Sequence, residues 1–220
     1  MYQILEFTQS YLLSHDSEPF YKFVNKAYDK PKFKFQVIKT RRIITMDSFN
    51  KEMSISSGRD FRLYVLLGPK TLPPREFKES FSLEEAFEDD VDLVFDPSNV
   101  EFVTVDDEYD MNNDLYRVLG SVGYSIKEDT AYMTAFTSYI RNLGPNMINL
   151  TIPRLSQFNV KGIEANCVRE HQLFTYYTEK CGFQPSGQPD DICKVGKSLG
   201  SFSTAVAYRD FSVAFIYRPL

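Results

Sequence analysis

Apolar residues along the 220-residue chain recur with two different periods, and the difference separates expected strands from expected helices. Short runs in which apolar positions alternate or cluster, bounded by turn residues, are typical of strands. The clearest run covers positions 61–67 and ends at Gly68-Pro69, so we expect a largely buried strand there. Strands are predicted at 61–67, 100–105, 118–126, 132–139, 163–167, 204–208 and 211–217.

Other segments space their apolar residues three and four positions apart, which predicts helices. These segments are 17–31, 47–53, 146–158 and 170–181, with a short helix also expected at 83–87. Ser17 is a suitable N-cap for the first helix, and Pro31 is expected to end it. Pro153 should bend or shorten the third helix, and Gly182 should end the fourth as a left-handed cap.

The order of elements in the second half of the chain is strand, helix, strand, helix, strand. Such an order predicts right-handed parallel crossovers and therefore an α/β fold, with a central mixed sheet flanked by helices. The length suits one domain covering residues 1–220. The proline-rich and then acidic stretch at 70–114 is expected to be a loop or an insertion in that domain.

The charge pattern is uneven along the chain. Positions 84–114 contain no lysine or arginine but 13 of the 30 acidic residues, although the net charge of the whole chain is only −5. One interpretation is that this segment lines the entrance for a cationic substrate, and the other is a solvated acidic loop. An early basic segment, from Lys22 to Arg42, is interpreted as a solvated face, so no nucleic-acid partner is expected.

Three cysteines and the absence of a basic-then-apolar leader favour a reducing compartment, the cytoplasm or the nucleus. No apolar run approaches the roughly 20 residues that a membrane span needs, so no membrane partner is expected. With two histidines and no ligand spacing to the cysteines, no metal site is predicted. The C-terminal strands could pair across a homodimer interface.

The segment Arg141-Asn142-Leu143-Gly144-Pro145-Asn146 lies between an expected strand and an expected helix. A turn at a helix N-terminus collects unpaired N–H groups and the positive end of the helix dipole, which suits a phosphate or pyrophosphate. Glycine there permits close approach of the backbone, and Arg141 adds a positive charge. A glycine turn of this kind is common, so the feature alone is weak.

The order of motifs in this region resembles the GNAT superfamily of acyltransferases. That family has a strand, an Arg/Gln-x-x-Gly-x-Gly/Ala turn, a helix, a strand, and a helix that closes in Tyr-x-x-x-Gly-Phe. Here the turn is 141–146, and the last helix leads into Cys181-Gly182-Phe183. The early sequence Phe23-Val24-Asn25-Lys26-Ala27-Tyr28 also resembles the first helix of many members.

The resemblance implies a protein that binds acetyl-CoA (coenzyme A) and transfers the acetyl group directly to an amine of a small molecule or a peptide. The strand before the turn would contact the pantetheine arm, and the turn amides would hold the pyrophosphate. The implied cofactor-binding residues are Ala135, Phe136, Thr137, Arg141, Asn142, Leu143, Gly144 and Asn146. Tyr177 is the implied acid for the leaving thiolate, with Tyr176 in reserve, and Glu170 could assist amine deprotonation.

The turn and the last helix depart from the family pattern. Asn146 replaces the usual Gly or Ala, Pro145 removes one N–H donor, and the tyrosine register is shifted by one residue. Each candidate also has a structural interpretation: Tyr177 as a core residue and Glu170 as a helix cap. The alternative function is therefore a catalytically degenerate GNAT-like protein that binds coenzyme A or a protein partner in a regulatory role.

Overall fold

The computed structural model describes residues 1–41, 43, 45–55, 58–78, 82–87, 93–196 and 206–220. The strands are β1 (Tyr2–Thr8), β2 (Asp60–Leu67), β3 (Val100–Thr104), β4 (Val118–Lys127), β5 (Thr130–Ser138), β6 (Gly162–Val168), β7 (Gln184–Pro185), β8 (Asp191–Cys193) and β9 (Phe211–Pro219). The α-helices are α1 (Gln9–Ser14), α2 (Glu18–Phe35), α3 (Met46–Glu52), α4 (Leu83–Phe87), α5 (Leu143–Leu155) and α6 (Leu173–Lys180).

The nine strands form one mixed sheet in the order β3-β1-β2-β4-β5-β6-β9-β7, with β8 also paired to β9. Strand β1 is parallel to β3, and β5 is parallel to β6. The other pairs are antiparallel. The expected mixed α/β sheet flanked by helices is confirmed.

Each face of the sheet carries its own apolar core. On one face, α1, α2 and α3 pack residues such as Leu12, Phe23 and Phe49 against Phe7 and Leu63. On the other face, α5 and α6 pack against alternate residues of the same strands, since side chains along a strand point to opposite faces. The sheet is therefore covered on both sides, and a ligand that crosses it needs a break between two strands.

Most predicted elements lie within a few residues of the observed ones, but the N-terminal strand was not expected. Strand β1 mixes apolar residues with Gln3 and Glu6, which breaks the alternation that would identify a strand. Glu6 is buried, and its carboxylate accepts hydrogen bonds from Arg62 and Tyr64 of the neighbouring strand β2. Polar residues with cross-strand partners can thus occupy a buried strand without leaving a pattern in the sequence.

The expected ends of two helices are also corrected. Helix α2 continues through Pro31 to Phe35 and ends at Gln36 in the left-handed conformation (φ 50°), because the loss of one backbone hydrogen bond is offset by packing of its buried face. The last helix is preceded by a 3₁₀ turn at Arg169–His171, and α6 begins only at Leu173. The N–H of Gln172, also left-handed, donates to Arg169 O at the turn.

At the C-terminal end, β9 lies inside the sheet instead of at an exposed edge. It pairs with β6 on one side and with β7 and β8 on the other, so pairing of β9 across a homodimer would have to displace those strands. The first two positions of the strand expected at 204–208 lie outside the described residues; Ala207 forms an isolated bridge with Ile38. None of the described helices is long and apolar enough to cross a membrane.

Candidate functional site

The break in the sheet lies between β5 and β6. These parallel strands pair only where Thr130–Tyr132 faces Gly162–Glu164, and beyond that point they separate. Ala135 has a φ of 46°, a conformation that L-residues rarely adopt, and the β4–β5 register shifts at the same level. A bulge bends the strand that contains it, and here it turns the second half of β5 away from β6.

Hydrogen bonds from β4 hold the bulge in place. The Ser121 hydroxyl donates to the carbonyl oxygen of Ala135 at 2.6 Å and is 2.9 Å from the Thr137 hydroxyl. Ser121, Ala135 and Thr137 are all buried. The separation of β5 and β6 is therefore a braced feature of the fold.

A cleft of about 810 Å³ occupies this gap. Its wall includes β5 from Tyr132 to Ser138 except Ala135, β6 from Glu164 to Val168, and parts of α2, α3 and α6. Since α2 and α3 cover one face of the sheet and α6 the other, the cleft gives access to the gap between the strands from both faces. Phe136, Thr137 and Tyr177, three of the predicted site residues, meet on this wall.

Two buried polar atoms on the cleft wall have no hydrogen-bond partner in the described part of the chain. One is the Ser125 hydroxyl, whose residue is 2% exposed, and the other is Nε2 of His171, which is 9% exposed. An unpaired buried polar group costs about 1–3 kcal/mol. Such groups on a cleft wall are the expected mark of a site that binds a polar ligand.

His171 enters the cleft as a neutral ring. It stacks on Phe35 of α2 with ring centroids 5.6 Å apart, and burial lowers the pKa of its imidazole to about 4. At neutral pH the ring thus offers either an N–H donor or a nitrogen acceptor to a ligand. The sequence alone assigns no role to His171, because the burial of a single histidine cannot be deduced from it.

The two tyrosines of α6 have different surroundings. Tyr177 is 7% exposed and packs against Phe136 and Phe183, each with ring centroids 5.6 Å apart. Tyr176 is half-buried, and its hydroxyl lies against Gly144, where a Cβ would also meet the Phe136 ring. Burial raises the pKa of both phenols, so each stays protonated at neutral pH.

The predicted phosphate turn forms the N-terminus of α5. Asn142 is the N-cap in the left-handed conformation (φ 58°), and its side chain makes no capping hydrogen bond. The N–H groups of Leu143 and Gly144 belong to the first turn and have no i→i−4 partner, whereas Pro145 has no N–H and the Asn146 N–H is in place to make the first helical bond, to Asn142 O. The Asn146 side chain donates to Asn142 O at 3.2 Å, and Arg141 is exposed beside the turn. These residues follow the cleft strand β5 but do not form the cleft wall.

Glu170 has a different place from the one its proposed role requires. Both of its carboxylate oxygens accept the Ser212 N–H at 3.0 Å, which ties the 3₁₀ turn to the start of β9. The residue does not line the cleft, although its neighbour His171 does. Glu170 therefore makes a structural contact. Its carboxylate caps the start of β9 rather than the helix that follows Glu170 in the chain.

The acidic segment is not the entrance to the cleft in the described part of the chain. Strand β3 lies at the far edge of the sheet, and none of the described acidic residues between Glu84 and Asp114 lines the cleft. Asp114 instead pairs with Arg117 at 2.6 Å, and the Asp107 carbonyl contacts the His15 ring. The rest of this segment, Glu88–Asp92, lies outside the described residues.

Part of the charge on the cleft wall comes instead from the early basic segment. Its charged lining residues are Lys30, Lys32, Lys34, Lys51, Arg59, Asp29, Glu52 and Glu164. The interpretation of the early lysines as a solvated face is therefore incomplete, because α2 places three of them at the cleft. The run of lysines was visible in the sequence, but only the fold shows what α2 faces.

Comparisons with solved structures agree with this architecture. An N-acetyltransferase of Staphylococcus aureus has a TM-score of 0.51 at 10% identity, with 100% of this chain and 97% of that chain covered. The ribosomal-protein-S18-alanine N-acetyltransferase of Escherichia coli gives 0.51 at 9% identity, covering 100% and 94%. The spermidine N-acetyltransferase of Vibrio cholerae, solved with CoA and spermine, gives 0.50 at 12% identity, covering 99% and 95%. At these identities the likeness shows a GNAT-like fold.

Sequence comparison gives the family. The sporulation protein RMD6 of Saccharomyces cerevisiae is 28% identical over 168 residues, which are 74% of this chain and 70% of the yeast protein. The family model described as sporulation protein RMD6 matches residues 1–220. The chain, with its GNAT-like fold, therefore belongs to the RMD6 family of sporulation proteins.

Proposed function

We propose that this protein is an acetyl-CoA-dependent N-acetyltransferase that acts on an amine by direct transfer. The observation that carries the proposal is the cleft where β5 and β6 separate, which contains the unpartnered Ser125 and His171 atoms. A packed sheet gains nothing from such a gap, and the buried unpaired groups destabilise it. A ligand that fills the gap would satisfy them.

The residues around the gap fit coenzyme A. The N-terminus of α5 offers the amides of Leu143 and Gly144 to a pyrophosphate, and exposed Arg141 adds a positive charge. Phe136 and Thr137 of β5, the strand that leads into this turn, would contact the pantetheine arm. When bound, acetyl-CoA would supply an acyl group activated as a thioester.

The protein's part in the reaction would be to orient the amine and to manage two protons. The phenols of Tyr176 and Tyr177 stay protonated because burial raises the pKa of each, so either hydroxyl can donate toward a leaving thiolate. The Nε2 atom of neutral His171 can exchange a hydrogen bond with a polar group of the bound ligand. Glu170 is held by Ser212 and is not placed to act as the base.

Calorimetric titration of the purified protein with acetyl-CoA and with coenzyme A tests the cofactor site. Arg141→Gln should weaken both affinities by about tenfold, the size of one lost charge-assisted contact. Lys127→Gln is the matched control, because Lys127 is also exposed but lies at the end of β4 that is far from this turn. No acetyl-CoA binding at millimolar concentration, or equal weakening in both variants, would reject this site.

A second candidate function is a GNAT-like protein that binds coenzyme A or a protein partner without catalysis. The placement of Glu170 and the close cover of Gly144 by Tyr176 favour it. Turnover separates the two candidates: release of free thiol from acetyl-CoA, measured over a panel of amines, should occur only for the enzyme. Binding of coenzyme A without thiol release for any amine would favour the regulatory function.

A further inference from the structure

Three neighbouring strands place a row of polar side chains on the α2–α3 side of the cleft. Ser125 of β4 is the Cα partner of Tyr132 of β5, which in turn is the partner of Glu164 of β6. Side chains of directly paired residues point to the same face of a sheet, so these three lie side by side. All three line the cleft, and they stand where β5 and β6 begin to separate.

Arg59 adds a positive charge to the same row. Its guanidinium carbon lies 4.7 Å from the centroid of the Tyr132 ring, a cation–π arrangement that fixes the group above the row. Arg59 lines the cleft, and it makes no ion pair with any described residue. A partly buried guanidinium held in place without a carboxylate is well suited to bind one from a ligand, since its paired N–H groups match the two oxygens.

The two ends of this row therefore carry opposite charges. Arg59 and the unpartnered Ser125 hydroxyl can donate to an anion, whereas Glu164, on the other side of Tyr132, can accept from an ammonium group. Asp29, a buried carboxylate elsewhere on this wall, is already neutralised by Lys32 at 3.5 Å and Arg41 at 3.3 Å. The charges left at the row fit a ligand that carries both signs close together.

We propose that the acceptor is an amino acid, bound with its carboxylate at Arg59 and Ser125 and its amino group at Glu164. This inference rests on the proposed acetyl transfer, since it names the substrate class of that cleft. It also differs from the expectation of a simple cationic amine, which the acidic segment had suggested. The side chain of the amino acid would extend along the cleft toward α2.

Ligand-observed NMR and calorimetry on the full chain, with and without saturating coenzyme A, test the inference directly. The probes are two matched series: L-phenylalanine, phenethylamine and 3-phenylpropanoate, and L-leucine, isoamylamine and 4-methylpentanoate. In each series one member lacks the carboxylate and one lacks the amine. We expect at least one amino acid to bind at least about tenfold more tightly than both of its partners.

Three variants assign the contacts. Arg59→Gln should remove the preference for the amino acid over the amine, Glu164→Gln should remove the preference over the acid, and Ser125→Ala should weaken binding about threefold or more. Lys180→Gln, an exposed change on α6, is the matched control for charge. Thermal unfolding of each variant checks that the protein still folds.

The outcomes separate this inference from the proposed function. If no amino acid binds more tightly than its decarboxylated partner, or if Arg59→Gln leaves the preference intact, the amino-acid site is wrong even when acetyl-CoA binds. If acetyl-CoA does not bind but an amino acid does and depends on Arg59, the site stands and acetyl transfer fails. If both bind, transfer of the acetyl group to the amino nitrogen, detected by mass spectrometry, is the expected result.

Discussion

The surroundings of Arg117 and the gap between β5 and β6 differ in how their buried polar side chains are paired. Around β1, β2 and β4, buried Arg117 donates to Gly68 O at 2.8 Å, to Asp114 at 2.6 Å and to Gln3 at 3.1 Å. At the gap between β5 and β6, Ser125 and His171 have buried atoms with no partner in the described part of the chain. A fully paired group such as the Arg117 guanidinium stabilises the fold, whereas an unpaired group on a cleft wall is available to a ligand.

Removal of the Arg117 guanidinium should have the largest effect on stability. Arg117→Met would leave the Gly68 carbonyl and Asp114 without their main donor in a buried place, so we expect a loss of about 3–4 kcal/mol in the free energy of unfolding. Denaturant unfolding measures it. A loss below about 1 kcal/mol would contradict a stabilising role for the Arg117 contacts.

His171 predicts a pH dependence of stability. Burial lowers the pKa of its imidazole from 6.5 to about 4, so the unfolded chain binds the proton more readily than the folded one. The stabilisation that comes from holding His171 neutral in the folded protein is therefore fully present above pH 6.5 and is lost as the pH falls toward 4. At about 1.4 kcal/mol per pKa unit, the loss amounts to about 3 kcal/mol.

Unfolding measured from pH 7.5 to 4 checks this dependence. In His171→Phe, which cannot titrate, the part of the acid destabilisation that belongs to position 171 should disappear. The same measurement on His15→Gln controls for the loss of an imidazole elsewhere. An unchanged acid slope in His171→Phe would show that the ring is not held neutral in the folded protein.

Gly144 tests whether the phosphate turn is shaped by a ligand or by its own neighbours. A Cβ at this position would clash with the Tyr176 hydroxyl and the Phe136 ring, so Gly144→Ala should destabilise by about 1–3 kcal/mol. By helix propensity alone the same change would stabilise α5 by up to about 1 kcal/mol. Adding Tyr176→Phe removes the hydroxyl in the way and should recover part of the loss in thermal unfolding. No recovery would mean that a contact other than the Tyr176 hydroxyl requires glycine at position 144.

The parts of the fold that the sequence predicts are those with strong local patterns. Strands β2, β4 and β6 carry continuous or alternating apolar residues, and Gly182 marks the end of α6 with a φ of 74°. Strand β1 carries Gln3 and Glu6, whose partners come from distant positions, and no local pattern reveals it. Likewise Pro31 predicts a helix end that tertiary packing overrides.

The candidate site is predictable to a smaller extent. Phe136, Thr137 and Tyr177 line the cleft, and they could be predicted because they lie in the strand and the helix that match the resembled family. Arg59 and Ser125 could not be found, since one precedes a strand and the other lies within one, and their proximity around Tyr132 depends on the register of β2, β4 and β5. Which member of a charged run faces a cleft is likewise decided by the fold.

Ser121 and Ser125 allow a direct comparison of a paired and an unpaired buried hydroxyl, with the smallest expected changes in stability. Both residues are buried, and they lie on the same face of β4, four residues apart. Ser121 braces the bulge through Ala135 O and Thr137, so Ser121→Ala should cost about 1–2 kcal/mol in denaturant unfolding. Ser125 has no partner in the described part of the chain, so Ser125→Ala should leave stability unchanged or raise it by up to about 1 kcal/mol, since the change removes an unpaired buried hydroxyl. Equal losses in the two variants would show that Ser125 contributes to the sheet as Ser121 does. A neutral or stabilising Ser125→Ala that also weakens ligand binding would instead mark a hydroxyl retained for function, at the place where β5 and β6 separate.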